Sequence, residues 1–347
     1  MKKLYRLASL LVVVSLILAG CAAPTTEAPA ETQAPAATEP PATEMPATES
    51  PTEAPATEAP ATEAPAGGDL LAAVLERGTL VSFTDPAYPP QSALKENPQR
   101  TEGTKCAEDQ QTVGELEGFD IDVAVAIAEQ LGVEACFVSP AWDTMIGGNW
   151  ADRFDYAVGS ITITPERIEL FHFSQPYYTT PAALFVHTDA SYTAPADLRG
   201  KAIGVCSGCT YESYLLGTLV IPGVPDIDYV ITDAEVKGYD TDSTALEDLA
   251  LGDGLRLDGV ITAQPTGQGA IDNGRPIKQV GDPLYFEYLA PAFDRASSLD
   301  PTSLVERVSD ITAALHEDGT LLELSEKHYG IDLTSAAADF DESLLNP

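Results

Sequence analysis

The sequence predicts an α/β fold of two lobes, joined by a hinge and separated by an interlobe cleft. Three observations carry this expectation. From residue 79 onward, short runs rich in Val, Ile and Phe alternate with helical stretches, the pattern of largely parallel sheets. The alternation starts afresh near residue 201, as a second unit would. Residues 69–347 also make a longer chain than one hydrophobic core ordinarily serves.

At the N-terminus, Lys2, Lys3 and Arg6 precede an apolar run over 7–19 that only Ser9 and Ser15 interrupt. That run is too short and wrongly flanked for a permanent membrane span, so 1–21 reads as a signal peptide. Residues 22–68 are almost entirely Ala, Pro, Thr and Glu, with Ala-Thr-Glu-Ala-Pro at 56–60 and again at 61–65. They offer almost nothing to bury against the entropy of folding, and frequent Pro favours an extended chain. This segment is expected to be a disordered tether spanning about 40 Å.

Within the first unit a helix is expected over 70–76, stopped by Gly78, and then a strand over 79–83. Residues 84–117 are rich in turn formers and include an irregular insertion at 95–115 that carries Cys106. Ile121, Ala124, Val125 and Ala128 recur at helical spacing, so a helix runs over 120–131 and ends at Gly132. Strands follow at 133–138, 156–160 and 182–187. The second unit opens with a strand at 201–205, a Gly turn and a helix at 211–216. Weak strands are expected at 229–231 and 235–238, then a helix at 243–251 and a strand at 257–262. An extended return over 285–293 leads to helices at 302–316 and 320–328. Leu304, Val308, Ile311 and Leu315 share one face of the first of these. One lobe is thus expected to comprise 69–183 and 286–347 and the other 184–285, with hinges near 180–185 and 280–288.

The chain has 18 Lys and Arg against 54 Asp and Glu, a net charge of −36. Phosphate contacts need a basic surface, so nucleic acid is excluded as a partner. Beyond Cys21 four cysteines remain: Cys106, Cys136, Cys206 and Cys209. Outside the cytosol an even number suggests bridges, and Cys106–Cys136 with Cys206–Cys209 is the expected pairing. A redox or metal pair at Cys206-x-x-Cys209 is the alternative. A zinc site needs two further ligands, and the four His are scattered at 172, 187, 316 and 328, so no metal is expected.

One segment carries chemistry on its face. Thr164 is a good helix N-cap and Pro165 suits the first helical position. Arg167 then falls in the first turn, where the helix dipole prefers an acid. A guanidinium placed against that preference is suited to gripping a carboxylate with its planar fork, the alternative being an ion pair with a surface acid. Ser160 and Thr162 lie two apart at the preceding strand end and add hydroxyls on one side. In the second unit, Cys206-Ser207-Gly208-Cys209-Thr210-Tyr211 runs from a strand through a Gly turn into a helix start. Such a start offers N–H groups to an anion; a plain connecting turn is the alternative.

Several segments in order give a specific resemblance. They are Thr84-Asp85-Pro86-Ala87-Tyr88-Pro89-Pro90, Gly118-Phe119-Asp120-Ile121-Asp122, and Ser160 through Arg167 (Ser-Ile-Thr-Ile-Thr-Pro-Glu-Arg). Phe173-Ser174-Gln175-Pro176-Tyr177-Tyr178, Leu198-Arg199-Gly200-Lys201 and Glu317-Asp318-Gly319-Thr320 complete the set. Over about 75–332 the chain resembles the family-3 extracellular solute-binding proteins, the polar-amino-acid receptors of ABC transporters. The resemblance implies the type II periplasmic-binding-protein fold, with a ligand held between the lobes and no cofactor. It places Arg167, with Gly159, Ser160 and Thr162, on the ligand carboxylate, and sets the Thr210 turn, with Cys209 and Tyr211, on its other side. It puts Tyr88 and Trp142 against the ligand side chain, though each could instead pack the lobes. Asp85 matches a position that can meet a cation, or it caps the turn beside Pro86. Leu18-Ala19-Gly20-Cys21 likewise resembles the bacterial lipobox, which implies a lipid on Cys21 and an extracytoplasmic, membrane-anchored protein.

The chain departs from the pattern twice. The usual acid for the ligand α-amino group follows the strand ending near Thr262, but the register here reads Thr262-Ala263-Gln264-Pro265. Gln264 can accept a hydrogen bond but cannot neutralise an ammonium, so either Asp85 or another acid compensates or the ligand is not a plain α-amino acid. The Phe often found after the paired prolines is Gln91, which suggests a more polar pocket. The expected function is binding a small polar amino-acid-like solute and handing it to an ABC permease, without catalysis. The alternatives are a ligand-sensing lipoprotein acting through a receptor, and a dehydratase-like enzyme on the same fold.

Overall fold

The computed structural model describes residues 68–345. The expected signal peptide, Cys21 and, apart from Gly68, the tether lie outside the described residues.

Two mixed sheets organise the chain. The first has six strands in the spatial order Gln111–Thr112, Glu134–Val138, Thr79–Phe83, Tyr156–Ala157, Ala292–Asp294 and Phe171–Phe173. Thr79–Phe83 runs parallel to both its neighbours, and Ala292–Asp294 is antiparallel to both of its own. The second has the order Glu235–Tyr239, Ala202–Cys206, Gly259–Ala263, Tyr178–His187 and Ile277–Gln279. Its first three strands are mutually parallel, while Tyr178–His187 is antiparallel to Gly259–Ala263. A small three-stranded sheet, Ala87–Tyr88, Ser92–Leu94 and Leu116–Glu117, lies within the first unit.

Tyr178–His187 is the long connector. Its ten residues are all buried, so it lacks the in–out alternation of a half-exposed strand and takes Thr179, Thr180 and His187 into the interior with the apolar residues. Its first half pairs with Tyr285–Leu289 and its second half with Gly259–Ala263 and Ile277–Gln279. Two antiparallel segments therefore carry the chain between the sheets. A bridge from Thr162 to Leu289 ties the return strand to the first unit.

The helices follow from their caps and faces. Leu70–Arg77 starts where the Asp69 carboxylate accepts from Leu71 N at 3.1 Å and ends at Gly78 in the left-handed region. Phe119–Leu131 starts at Gly118, where a Cβ would lie 2.2 Å from the Gln91 carbonyl oxygen. That helix buries a broad face, including Phe119, Val123 and Ile127 beside the expected Ile121 and Ala124, because sheet and C-terminal helices cover it from two sides. Thr302–Glu317 buries Leu304, Val308, Ile311 and Leu315, the face that its periodicity predicts.

Three expectations are corrected. Residues 229–231 form no strand; Val230 N donates to the Tyr214 hydroxyl at 3.2 Å and the Tyr229 hydroxyl donates to Leu219 O at 2.7 Å, so side chains satisfy this segment instead. The strand expected over 156–160 shortens to Tyr156–Ala157, and Ser160 takes a left-handed φ of 58°. Gln264–Asp272 is a helix that the sequence reading left unassigned, because it contains Pro265, Gly267 and Gly269. Gly267 is required there: a Cβ would meet the Phe185 ring at 2.1 Å. The insertion is also less irregular than expected. It adds the edge strand Gln111–Thr112 and is tied to the sheet by a Cys106–Cys136 bridge.

Candidate ligand-binding site

Arg167 is set by its local sequence. Thr164 Oγ1 accepts from Arg167 N at 3.3 Å, and Pro165 opens the short helix Pro165–Ile168. Arg167 is 7% exposed. One nitrogen donates to Thr162 O at 2.9 Å and another crosses to Gly208 O of the second unit at 3.2 Å. The guanidinium carbon lies 5.7 Å from the centre of the Trp142 ring. Among the described residues no carboxylate lies within 4.0 Å of it. Burial pulls its pKa down to about 10, against the opposing pull of the Glu287 carboxylate.

Facing Arg167 is the turn between Ala202–Cys206 and Thr210–Leu215. Cys206 and Cys209 are bridged, and Gly208 takes a φ of 73°. The N–H of Gly208 is not free for a ligand, because Glu212 Oε2 accepts it at 2.7 Å. The bridge also answers the metal alternative: Cys206 and Cys209 lie close to Asp242, but sulfurs joined to each other are not thiolate ligands. Thr210 is buried; its hydroxyl donates to Glu287 Oε1 and accepts from the Tyr285 hydroxyl at 3.3 Å.

Around these two elements lies a cleft with about 430 Å³ of space between atoms, part of it open to solvent. Asp85, Tyr88, Trp142, Gly159, Ser160, Thr162, Arg167, Cys209, Thr210 and Tyr211 all line it. The Tyr88 and Tyr211 hydroxyls meet at 3.0 Å from opposite units. Ser243 Oγ also donates to Ala87 O at 2.7 Å across the same gap, so the cleft is closed. The Trp142 ring N–H is buried and finds no partner among the described residues. The Asp85 carboxylate accepts from Ala87 N at 2.9 Å, the turn-capping role; burial raises its pKa.

The two strand-end hydroxyls do not point to one acceptor. Ser160 Oγ donates to Asp120 Oδ2 at 2.8 Å and meets the Tyr178 hydroxyl at 2.6 Å, while Thr162 Oγ1 donates to Glu287 Oε1 at 2.7 Å. Asp120 also accepts from the Tyr177 hydroxyl at 2.8 Å, and burial lifts its pKa to about 7. Gln264 stands outside the lining; it is half-buried and its amide donates to Gln279 Oε1 at 2.9 Å, because the helix it opens turns it toward Ile277–Gln279. Gln91 is also absent from the lining; its Oε1 accepts from Thr266 Oγ1 at 3.1 Å, joining the units beside the cleft.

Two acids line the cleft that sequence reasoning missed. Glu287 is 2% exposed and sits on the return strand Tyr285–Leu289. The signal was present: Tyr285, Glu287 and Leu289 share the buried face, so an acid interrupts an apolar alternation. Asp242 is 5% exposed and opens the helix Asp242–Leu249 behind its cap, Thr241. Burial lifts its pKa to about 7, reinforced by the Asp85 and Glu287 carboxylates. At the start of a helix an Asp looks like an ordinary first-turn acid, and nothing in the sequence distinguishes this one.

Comparison with known proteins agrees with this geometry. The family model of the bacterial extracellular solute-binding proteins, family 3, matches residues 80–331. The L-cystine-binding protein TcyJ of Escherichia coli (strain K12) is 30% identical over 272 residues, 76% of this chain and 88% of that protein. The ABC transporter arginine-binding protein 1 of the same organism is 30% identical over 224 residues, covering 62% and 82%. Among solved structures, an ancestral arginine-binding protein bound to arginine matches with a TM-score of 0.58 at 28% identity, covering 73% of this chain and 99% of that one. The ancestral amino acid-binding protein AncCDT-1, a precursor of cyclohexadienyl dehydratase, matches with a TM-score of 0.60 at 26% identity, covering 75% and 99%. The two-lobed α/β architecture is the type II periplasmic-binding-protein fold, and the chain belongs to the bacterial extracellular solute-binding proteins of family 3.

Proposed function

We propose that this protein closes its two lobes on a small amino-acid-like solute and delivers it to an ABC importer. The observation that carries the reading is the buried Arg167 guanidinium. It has backbone carbonyls but no carboxylate within 4.0 Å among the described residues, and it faces a cleft beside an unpartnered Trp142 N–H. A buried cation without its anion is suited to receive one from a ligand. Thr162, Thr210 and Tyr211 surround the place where a carboxylate would sit, and Tyr88 and Trp142 wall the side chain. Closing turns on the paired strands Tyr178–His187 and Tyr285–Leu289, with 69–183 and 286–347 as one lobe and 184–285 as the other.

The reading is of a carrier and not a catalyst, which the relatives named as binding proteins support. We place it outside the cytoplasm, exported by the signal over 1–21, held by a lipid on Cys21 and set off the membrane by the tether over 22–68. Titration calorimetry of amino acids into the full chain tests the function. Binding that is saturable and lost in Arg167→Ala is expected; unchanged affinity in that variant removes Arg167 from the site. Membrane release of a Cys21→Ser chain tests the anchor.

A further inference from the structure

The charges lining the cleft do not balance. Asp85, Asp242 and Glu287 present three carboxylates against one guanidinium, Arg167. Glu287 is engaged, since its Oε1 accepts from both Thr162 and Thr210. Asp242 is not. Its Oδ1 is buried and has no hydrogen-bond partner among the described residues. Its carboxylate lies within 4.8 Å of the Cys206 and Cys209 sulfurs, which are bridged and carry no hydrogen to donate. A buried carboxylate oxygen short of donors is costly; the neighbouring Thr262 hydroxyl can supply a neutral one, and a group in the cleft can supply a charged one.

We propose that Asp242 receives the ammonium group of the ligand, replacing an acid at the end of strand Gly259–Ala263, and that Asp85, Asp242 and Glu287 together restrict the site to amino acids carrying a second basic group. This rests on Arg167 as the carboxylate grip. With a ligand carboxylate on Arg167 and its ammonium on Asp242, Asp85 and Glu287 remain uncompensated in a closed, water-poor space. A neutral side chain leaves both in place. An acidic side chain adds a third negative charge. A basic side chain cancels one of the two, and the hydroxyls of Thr162 and Thr210 already stabilise the other. In a low-dielectric cleft each unbalanced charge weighs heavily, so the order of affinity is basic, then neutral, then acidic. Burial raises the pKa of all three acids, and for Asp242 the Asp85 and Glu287 carboxylates add to the rise.

The test is calorimetry at pH 8 on the full chain in detergent, with L-arginine, L-lysine, L-glutamine and L-glutamate as probes. Arginine or lysine is expected to bind at least ~100-fold more tightly than glutamine, with glutamate weakest. Asp242→Asn is expected to weaken the basic ligand at least ~30-fold, with no fall in the melting temperature of the free protein, and Asp85→Asn to narrow the gap between basic and neutral ligands. Equal affinity for glutamine and arginine overturns the proposal, as does full retention of affinity in Asp242→Asn. If Asp242→Asn does not fold, the wild-type ranking and Asp85→Asn decide. Arg167→Ala separates the two levels of inference. Loss of binding in Arg167→Ala together with no preference for a basic ligand defeats only the charge selection. Unchanged binding in Arg167→Ala defeats the carboxylate grip itself.

Discussion

Replacing Arg167 by Ala is expected to separate ligand binding from folding, and its surroundings set the order of both effects. The guanidinium is held by two carbonyl oxygens and buried with no carboxylate within 4.0 Å among the described residues. Burial takes its pKa from the usual guanidinium value to about 10, which at about 1.4 kcal/mol per pH unit makes the buried charge less favourable than in water by about 3 kcal/mol. That figure is already net of what its hydrogen bonds contribute, so the charged side chain adds little to the stability of the fold. The free variant is therefore expected to melt within a few degrees of the parent. Binding is different. Removing one partner of a desolvated, hydrogen-bonded charge pair costs about 2–5 kcal/mol, on the order of 30- to 5,000-fold in Kd. Thermal denaturation and calorimetry on the same preparation measure the two quantities. A variant that loses tens of degrees of melting temperature refutes the argument, because Arg167 would then hold the lobes rather than the ligand. Lys at this position is expected to restore little, since a point charge cannot reproduce a fork spanning Thr162 O, Gly208 O and a carboxylate.

Other outcomes follow from the same structure. The Asp242 pKa is about 7 in the free protein, and the groups facing it are the Asp85 and Glu287 carboxylates, the Tyr88 and Tyr211 phenols and, across the cleft, Arg167. A cationic ligand needs the ionised carboxylate, so its affinity is expected to fall by up to about tenfold per unit as pH drops below 7; a flat profile between pH 5.5 and 8 counts against it. Stability runs the other way. Asp120 and Asp242 have folded pKa values above those of an unfolded carboxylate, so their contribution is complete at acid pH and lost as pH rises through about 7. The free protein should therefore melt higher at pH 5 than at pH 8 on their account, and Asp242→Asn should flatten that difference. Cys106 and Cys136 are 30 residues apart, and opening that bridge is expected to cost about 3–4 kcal/mol, about 10 °C in melting temperature. A Cys106→Ser, Cys136→Ser chain that melts like the parent contradicts it. Thiol titration of a denatured, non-reduced Cys21→Ser chain should find no free thiol, and any found would mean an open bridge.

Much of the site was legible because its parts lie in local motifs. The Thr164 cap, Pro165 and Arg167 occupy one short segment, and the Cys206–Cys209 turn links a strand to a helix start within four residues. Such features depend on neighbours in sequence, and local rules read them. The corrections fall where side chains answer to distant partners. The destinations of the Ser160 and Thr162 hydroxyls depend on Asp120 and Glu287, which come from other elements. Gln264 left the site because a helix containing three helix-disfavouring residues forms there, stabilised by the fit of Gly267 against the Phe185 ring. Residues 229–231 lost their strand to tyrosine hydroxyls of the same lobe.

The sequence alone determined the α/β alternation, the two-unit organisation and the helical turn that presents Arg167, because caps, periodicity and glycine stops act over a few residues. Only the tertiary structure decided which acids meet in the cleft. Asp85, Asp242 and Glu287 come from separate segments of the chain, and they line one cleft only once the two lobes meet around it. A carboxylate's charge and partners are set by the space around it, and that space exists only after the sheets and the two crossing strands have placed it.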